Sequence, residues 1–151
     1  MQLSELLAPE RVRVPLQSKD KAGLLRELAT LMAGSVGGDA ADILKAVEER
    51  EDVLSTGIGF GVAIPHGRTP SVPDLAMVAG VTSEPVAFEA LDGAPVRVLF
   101  LLVGPERSAG EHCKALSRIA RLARSDTLRN QLLQATSGEE FMRALAEAEA
   151  S

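Results

Sequence analysis

S-T-G-I-G-F-G-V-A-I-P-H-G-R, residues 55–68, is the stretch around which this chain is organised. Three glycines loosen the backbone in its first half, because glycine permits positive φ and close approach of a partner. Pro65 then stiffens the step before His66, since proline fixes φ at about −65°. A segment that turns from flexible to rigid just before a histidine predicts a loop that presents His66, with Gly67 leaving space beside the imidazole. The residues alone equally allow an ordinary loop with a surface histidine.

Upstream of this loop, the pattern predicts a short strand and then a helix. Residues 11–14 alternate with period two, which is typical of a strand, and Pro15 is predicted to end it. Ser18 is predicted to cap a helix that runs to about Ala33. The apolar positions of this helix recur at helical spacing and form a buried stripe, namely Leu24, Leu25, Leu28, Leu31 and Met32.

A second helix is predicted from Asp39, after a glycine-containing break, and it ends in a charged run that contains Arg50. An arginine at a helix C-terminus commonly offsets the helix dipole in solvent. The same side chain carries a planar fork of donors that suits pairs of phosphoryl oxygens. Both interpretations of Arg50 are open from its position alone.

Two apolar runs downstream of the loop predict the centre of a sheet. Residues 75–81 are small and apolar, and residues 96–103 are almost continuously apolar between Pro95 and Gly104. A run of this kind indicates a strand that is covered on both faces, which belongs in an α/β sheet rather than in a one-sided one. The pattern therefore favours helices on both sides of the sheet.

The C-terminal third is predicted to be helical. Ser108 and Glu111 have the spacing of a capping box, so a helix should begin there. His112 lies in its first turn, and helical side chains lean towards the N-terminus, so we expect it at the rim of the core. A short helix should follow Ser125, and Ser137 should cap the last one. Arginines at every third position predict a solvated stripe that an acidic partner could also bind, namely Arg118, Arg121 and Arg124.

Composition restricts the class of protein. A chain of 151 residues with 46% hydrophobic and 25% charged residues is long enough for one folded domain with a real core. No apolar run approaches a membrane span and no leader pattern is present, so we expect a soluble cytoplasmic protein without membrane insertion. The single cysteine, Cys113, fits a reducing compartment. A net charge of −5 and the absence of Trp and Tyr disfavour nucleic-acid binding.

Several rival chemistries fit the sequence poorly. The glycine run lacks the Lys-Ser/Thr ending of a phosphate-binding loop, and no G-x-S-x-G elbow is present for a serine hydrolase. Zinc needs three or four ligands, and His66 and His112 are the only histidines, so no metal site is expected. No motif places a base beside Cys113. A binding module whose loop holds a ligand without reacting remains open.

Two matched segments, Ser55–Gly59 and Ile64–Gly67, resemble the phosphorylation-site signature of enzyme IIA domains of the bacterial phosphotransferase system, in the mannitol/fructose/nitrogen-regulatory class. Arg50, sixteen residues before His66, matches the active-site arginine of that family, and His112, forty-six residues after it, matches the second histidine. The resemblance covers essentially the whole chain. The opening Q-L-S-E-L-L and the compact length are most similar to the nitrogen-regulatory branch.

This resemblance implies a single α/β domain over residues 1–151, with three layers and a mixed sheet flanked by helices on both faces. It implies that His66 accepts a phosphoryl group, that Arg50 clamps the charge, and that His112 hydrogen-bonds the phosphoryl oxygens, without any cofactor. Further candidate donors are the side chains or amides of Ser55, Thr56, Gly59 and Gly61.

The resemblance also implies partners. The donor is a phosphohistidine carrier protein of the HPr type, and the chain is a transfer protein rather than a metabolic enzyme. The nitrogen-regulatory likeness favours a regulator whose phosphorylation state controls other proteins. The alternative is a free-standing fructose- or mannitol-type component that feeds a separate permease component.

Phe60, the one bulky apolar residue within the glycine run, has two interpretations. Its ring could pack into the core beneath the loop. Alternatively, the flanking glycines could hold it outward beside His66, where a carrier protein docks. A relay protein must expose its histidine, and a small apolar patch around the histidine would bind the partner while excluding water.

Overall fold

The two long apolar strands predicted from the sequence form the centre of a six-stranded mixed sheet. The computed structural model describes residues 2–150. The strands are β1 (Val12–Leu16), β2 (Gly57–Gly59), β3 (Val62–Ala63), β4 (His66–Arg68), β5 (Ala76–Val86) and β6 (Val96–Gly104). The helices are α1 (Lys21–Ser35), α2 (Ala40–Val53), α3 (Ala109–Leu122), α4 (Asp126–Gln134) and α5 (Gly138–Ala150). Short 3-10 helices lie at Leu3–Glu5, Pro9–Arg11 and Glu106–Ser108.

Strand β6 lies at the centre of the sheet and pairs with three other strands, β5 on one edge and β3 and β4 on the other. The order is β1-β5-β6-β3-β2, and β4 pairs with β6 beyond the end of β3. Strands β5 and β6 are antiparallel, whereas β3 and β4 both run parallel to β6 and β1 runs parallel to β5. The mixed sheet implied by the family resemblance is confirmed.

Side chains of β6 alternate between two separate apolar cores. Leu99 and Leu101 enter the core formed with α1 and α2, and Phe100 and Leu102 enter the core formed with α3, α4 and α5. Burying each such side chain contributes about 1.5–3 kcal/mol, so both faces of this strand must be apolar. The continuous apolar run therefore predicted correctly a strand covered on both faces of an α/β sheet, and the three layers implied by the family resemblance are observed.

Strand β1 continues through Pro15 to Leu16, so the prediction that Pro15 ends the strand is wrong. Proline is tolerated there because β1 is an edge strand, bonded only to β5, and proline only removes a donor on the ladder. The Val14–Pro15 peptide bond is cis, and the register shifts between Arg13 and Leu16.

One predicted helix cap, Ser18, is also wrong, and a second, Ser108, lies at the predicted place without a capping hydrogen bond. Asp20 caps α1 by accepting a hydrogen bond from the amide of Gly23, because the carboxylate of Glu27 binds both the amide and the hydroxyl of Ser18. Helix α3 begins directly after Ser108, as predicted, but the described residues show no capping hydrogen bond to the Ser108 side chain, because Ser108 also ends the preceding 3-10 turn. The predicted starts after Asp39, Ser125 and Ser137 are confirmed by a side-chain hydrogen bond at each one.

The two ends of the chain are joined by a buried carboxylate. Glu149 on α5 accepts hydrogen bonds from the amides of Leu3 and Ser4, at 2.7 and 2.9 Å, and pairs with the Arg118 guanidinium at 2.7 Å. Arg118 is therefore a structural partner rather than part of a solvated stripe, because this buried carboxylate requires a cation. Arg121 and Arg124 are exposed, as expected. No helix among residues 2–150 is long and apolar enough to cross a membrane.

Candidate active site

His66 lies on a strand and not on a loop, which corrects the expectation for residues 55–68. Three short strands, β2 to β4, occupy most of that stretch, and β4 pairs His66 with Leu102 of β6. The amide of Leu102 also donates to the carbonyl of Pro65 at 3.0 Å. Because β4 pairs with the buried strand β6, the backbone that carries the half-buried imidazole is held in place.

Gly67 places the second helix beside this strand. A Cβ at position 67 would meet the backbone carbon of Ala46 at 2.8 Å and the backbone nitrogen of Val47 at 3.0 Å. Only glycine permits this approach of α2 to β4. The space that Gly67 leaves is therefore filled by helix backbone, and Arg50, one turn after Ala46, is carried to the site by the same packing.

A single hydrogen bond sets the tautomer of His66. Its Nδ1 lies 2.8 Å from the carbonyl oxygen of Ile64, two residues earlier. A carbonyl can only accept, so Nδ1 must carry the proton and the lone pair remains on Nε2. The rigid Ile64-Pro65-His66 segment thus prepares Nε2 as the nucleophilic atom of a neutral imidazole.

His112 lies against His66 and is buried more deeply than predicted. The two ring centroids are 5.4 Å apart with an interplanar angle of 69°. His112 is 2% exposed, so it belongs to the interior and not to the rim of the core. Neither of its ring nitrogens has a hydrogen-bond partner among the described residues. An unpaired buried N–H is costly, which marks His112 as a donor that waits for an acceptor.

Both histidines are kept neutral near pH 7. Burial lowers the pKa of His66, and the Arg50 guanidinium lowers it further, while the hydrogen bond to Ile64 opposes both effects. Burial also lowers the pKa of His112 to about 4, with a further contribution from His66 and Arg68. A neutral His66 is the form that can act as a nucleophile.

The predicted clamp residue shares a groove with His66. A groove of about 360 Å³ is lined by both Arg50 and His66 and by apolar side chains that include Leu54 and Leu91. One guanidinium nitrogen of Arg50 donates to the carbonyl of Leu54 at 2.8 Å, just past the end of α2. Arg50 therefore satisfies a C-terminal carbonyl of its helix, as the solvated interpretation expected, and also lines the site.

Arg68 is a charged group near the site that the sequence analysis missed. It lies two residues after His66 on β4, and side chains at i and i+2 of a strand share a face. Its charge lowers the pKa of both histidines. It pairs with Glu106 at 3.0 Å. The period of two would have identified Arg68 if residues 66–68 had been predicted as a strand.

The hydroxyls of Ser55 and Thr56 are already engaged. Ser55 Oγ lies 3.3 Å from the carbonyl of Phe88 and also accepts from the amide of Gly57. Thr56 Oγ1 donates to the buried carboxylate of Glu51. Both residues line the groove with His66.

The glycine run turns Phe60 outward. Phe60, Gly59 and Gly61 all have positive φ, of 60°, 94° and 75°, and the Phe60 side chain is 54% exposed. The ring does not pack into the core, but lies 4.8 Å beneath the Arg129 guanidinium of α4. Neither Phe60 nor the two glycines line the groove with His66.

This geometry agrees with a comparison against known families. The model of the phosphoenolpyruvate-dependent sugar phosphotransferase system EIIA 2 family matches residues 5–148. The chain belongs to this family. Domains of the EIIA type pass phosphate between HPr-type carriers and EIIB or permease components.

Relatives of this EIIA domain include regulators and sugar-specific proteins. A nitrogen regulatory protein of Bradyrhizobium diazoefficiens is 34% identical, with 97% of this chain and 95% of that protein covered. The fructose-specific EIIABC component of Bacillus subtilis is 36% identical over 91% of this chain but 22% of its own length. The crystal structure of the nitrogen regulatory protein IIA-Ntr from Neisseria meningitidis aligns with a TM-score of 0.88 at 34% identity, covering 95% of this chain and 98% of that one.

The depressed pKa of His112 predicts a loss of stability in acid. A neutral form is favoured in the fold, so between pH 6.5 and about 4 the unfolded chain binds more protons than the folded one. The free energy of unfolding should therefore fall as the pH drops through this window, by on the order of 2–3 kcal/mol from His112. Chemical denaturation at a series of pH values measures this slope.

The matched variant is His112→Asn, which should flatten the slope between pH 6.5 and 4.5. His66→Asn should remove the smaller contribution of His66 to the same slope. Glu27 and Glu149 have lowered pKa values, so their stabilisation is lost only below their unfolded pKa of about 4.5. An unchanged slope in His112→Asn would show that His112 is not held neutral by the fold.

Proposed function

We propose that this EIIA domain is a phosphoryl-relay protein that accepts a phosphoryl group on Nε2 of His66 and acts as a regulator of the nitrogen-regulatory type. The observation that carries the proposal is the 2.8 Å hydrogen bond between Nδ1 of His66 and the carbonyl of Ile64. It places the proton on Nδ1 and leaves Nε2 as the nucleophile, in a neutral imidazole that lines an open groove.

In the transfer step, the Nε2 lone pair attacks the phosphorus of a phosphohistidine on the carrier. The bond from phosphorus to the carrier imidazole breaks, and its electron pair returns to that imidazole, which takes a proton from solvent. A new bond joins Nε2 of His66 to phosphorus. Such transition states spread negative charge over the phosphoryl oxygens, so the protein acts by positioning and electrostatic stabilisation.

Two groups support that charge in the proposal. Arg50 lines the groove and presents guanidinium donors that remain beyond its bond to Leu54. His112 lies beside His66 with a buried N–H that has no partner among residues 2–150, and a phosphoryl oxygen would supply the missing acceptor. The loop groups of Ser55, Thr56, Gly59 and Gly61 are weaker candidates, since both hydroxyls are engaged.

The regulatory branch is supported by the relatives that cover both chains. The matched protein of Bradyrhizobium diazoefficiens and the aligned structure from Neisseria meningitidis are both named as nitrogen regulatory proteins. The alternative, a fructose- or mannitol-type component that feeds a permease, is supported by the fructose-specific EIIABC component of Bacillus subtilis, of which the chain covers 22%, and by a fructose-specific EIIA component of Haloferax volcanii, 35% identical with 72% of this chain and 70% of that protein covered. Downstream partners are accordingly regulated proteins, or a permease component in the alternative.

The test is phosphoryl transfer from a phosphorylated carrier protein. Under conditions that regenerate the carrier from phosphoenolpyruvate, the protein should gain the mass of one phosphoryl group, labile in acid and stable in base. A protein that gains no phosphoryl group from any carrier is instead a binding module. Formation of a sugar phosphate with a purified permease component would select the alternative branch.

We place this relay in the cytoplasm, where the carrier proteins of the phosphotransferase system would meet it. Cys113 is a free, exposed thiol, which fits a reducing compartment. No cofactor or metal takes part in the proposed step, since the leaving group and the nucleophile are both imidazoles.

The exposed ring of Phe60 predicts a role in carrier docking. Burying such a ring against a partner contributes about 1.5–3 kcal/mol, which is roughly ten- to a hundredfold in affinity. Phe60→Ser should weaken docking by about that factor with little change in Tm, because the side chain is 54% exposed. The concentration dependence of phosphorylation measures docking, and thermal unfolding measures stability.

A companion variant, Leu91→Ser, locates the docking surface. Leu91 is exposed and lines the groove with His66, whereas Phe60 does not. If Leu91→Ser weakens docking and Phe60→Ser does not, the carrier contacts the groove without reaching the glycine run. That result would remove Phe60 from the interface.

A further inference from the structure

The end of α2 holds a buried carboxylate that the transfer step does not use. Glu51 is 6% exposed and directly follows Arg50. Its carboxylate accepts hydrogen bonds from the amide and the hydroxyl of Thr56, the former at 2.9 Å, and pairs with Lys21 at 2.9 Å. Thr56 itself is 4% exposed. Both oxygens of the Glu51 carboxylate are therefore engaged, one by the Thr56 hydroxyl and the other by the Thr56 amide and Lys21.

A chain of hydrogen bonds leads from this carboxylate to the reactive imidazole. Thr56, held by Glu51 through both its amide and its side chain, accepts a bond at its carbonyl from the amide of Ile64 at 3.0 Å. The carbonyl of Ile64 then accepts from Nδ1 of His66 at 2.8 Å. Residues 57–63 form the β2–β3 hairpin between Thr56 and Ile64. The orientation of the Ile64 carbonyl thus depends on where Thr56 is held.

We propose that Glu51 is a positioning residue for His66: through Thr56 and Ile64, it orients the carbonyl that keeps the proton on Nδ1 and the lone pair on Nε2. This inference rests on the proposed function for its kinetic consequence, but its structural consequence, the tautomer of His66, is independent of any carrier. Lys21 is the cation that allows the carboxylate to stay buried in its charged form.

The alternative is that this cluster serves only the fold. A buried ion pair is weak evidence of stabilisation, because the cost of removing two charges from water often offsets their attraction. A purely structural cluster would change the Tm without changing the chemistry of His66. The two roles therefore differ in readouts that are specific to the imidazole.

The first test uses Thr56→Val, which keeps the shape and the amide but removes the hydroxyl donor. We expect 15N NMR of the ring to show a mixture of tautomers in place of the Nδ1–H form. We expect phosphorylation of His66 at saturating carrier to slow by roughly 10- to 100-fold, because catalysis depends steeply on the position of the reacting atoms. The carrier concentration for half-maximal rate should be unchanged. Thr56→Ser keeps the hydroxyl and should restore the wild-type tautomer and rate.

The second test compares Glu51→Gln with Glu49→Gln, an exposed residue on the same helix that gives the same change in net charge. Among the described residues, Glu51 is the acid whose charge raises the pKa of His66, whereas the charges of Arg50 and Arg68 lower it. Glu51→Gln should therefore move the acid limb of the phosphorylation profile to lower pH and slow transfer. Glu49→Gln should do neither.

The outcomes separate this inference from the proposed function. If wild-type protein is not phosphorylated, the relay proposal fails, and the tautomers in wild type and Thr56→Val still test Glu51. A folded Thr56→Val protein with the wild-type tautomer and rate would overturn the inference while leaving the relay intact. Equal behaviour of Glu51→Gln and Glu49→Gln would do the same.

Discussion

His66→Ala is expected to gain no phosphoryl group from any phosphorylated carrier under conditions in which wild-type protein is labelled to one group per chain. The variant removes Nε2, the atom that the hydrogen bond to Ile64 leaves as the nucleophile. Among the described residues His112 is the neighbouring imidazole, and it does not replace His66 because it is 2% exposed and both of its ring nitrogens are buried away from a carrier. Intact-mass spectrometry at neutral pH measures the gain directly.

Two controls accompany this variant. The circular dichroism of His66→Ala should match that of wild type, since the imidazole is half-buried and the ladder of β4 with β6 is made by the backbone. His112→Ala should be labelled slowly but to completion. Full labelling of His66→Ala, or a phosphoryl group mapped to His112, would contradict the assignment of the acceptor.

Arg50→Ala is expected to slow phosphoryl transfer by roughly 10²–10³-fold, the effect of losing one preorganised donor to a charged transition state. The side chain is in place before the carrier arrives, because one of its nitrogens is held by the carbonyl of Leu54. Single-turnover rates at saturating carrier isolate this effect from docking. The final extent of labelling should be that of wild type.

Two further variants test whether geometry or charge is responsible. Arg50→Lys should recover only part of the rate, because an ammonium is a point charge and cannot bind two oxygens as a planar fork. Arg26→Ala removes an exposed arginine of α1 and gives the same change in net charge. If Arg26→Ala slows transfer as much as Arg50→Ala, the effect comes from overall charge and Arg50 is not a clamp.

Some residues of the candidate site could be predicted from the sequence, whereas the contacts of others could not. The resemblance to the family implied that Arg50, His66 and His112 share one site. In the structure His112 lies against His66, and Arg50 lines the same groove as His66. The hydrogen-bond partners of Thr56 could not be predicted from the sequence. Its hydroxyl was a candidate phosphoryl donor, but it bonds to Glu51, and no local pattern predicts a buried carboxylate at the end of a charged helix.

The errors in the predicted elements have a common origin. Ser18 and Ser108 both lie in capping sequences, yet Ser18 binds Glu27 and Ser108 is the last residue of a 3-10 turn. Pro15 ends strands in general, but an edge strand accepts it. Each outcome depends on a neighbour that is distant in the chain or on the place of the strand in the sheet. Local propensity does not contain that information.

The sequence by itself predicted an α/β sheet covered on both faces, and its resemblance to a known family indicated His66 as the proposed phosphoryl acceptor. The apolar runs of β5 and β6 required cover on both faces, and the Ile64-Pro65-His66-Gly67 motif, by its resemblance to the family, indicated which histidine would accept the phosphoryl group. Only the tertiary structure decided which groups surround that imidazole. Burial of His112, the approach of α2 over Gly67 and the Glu51 clamp join residues that are far apart in the chain, and burial and electrostatic environment follow from such packing rather than from local sequence.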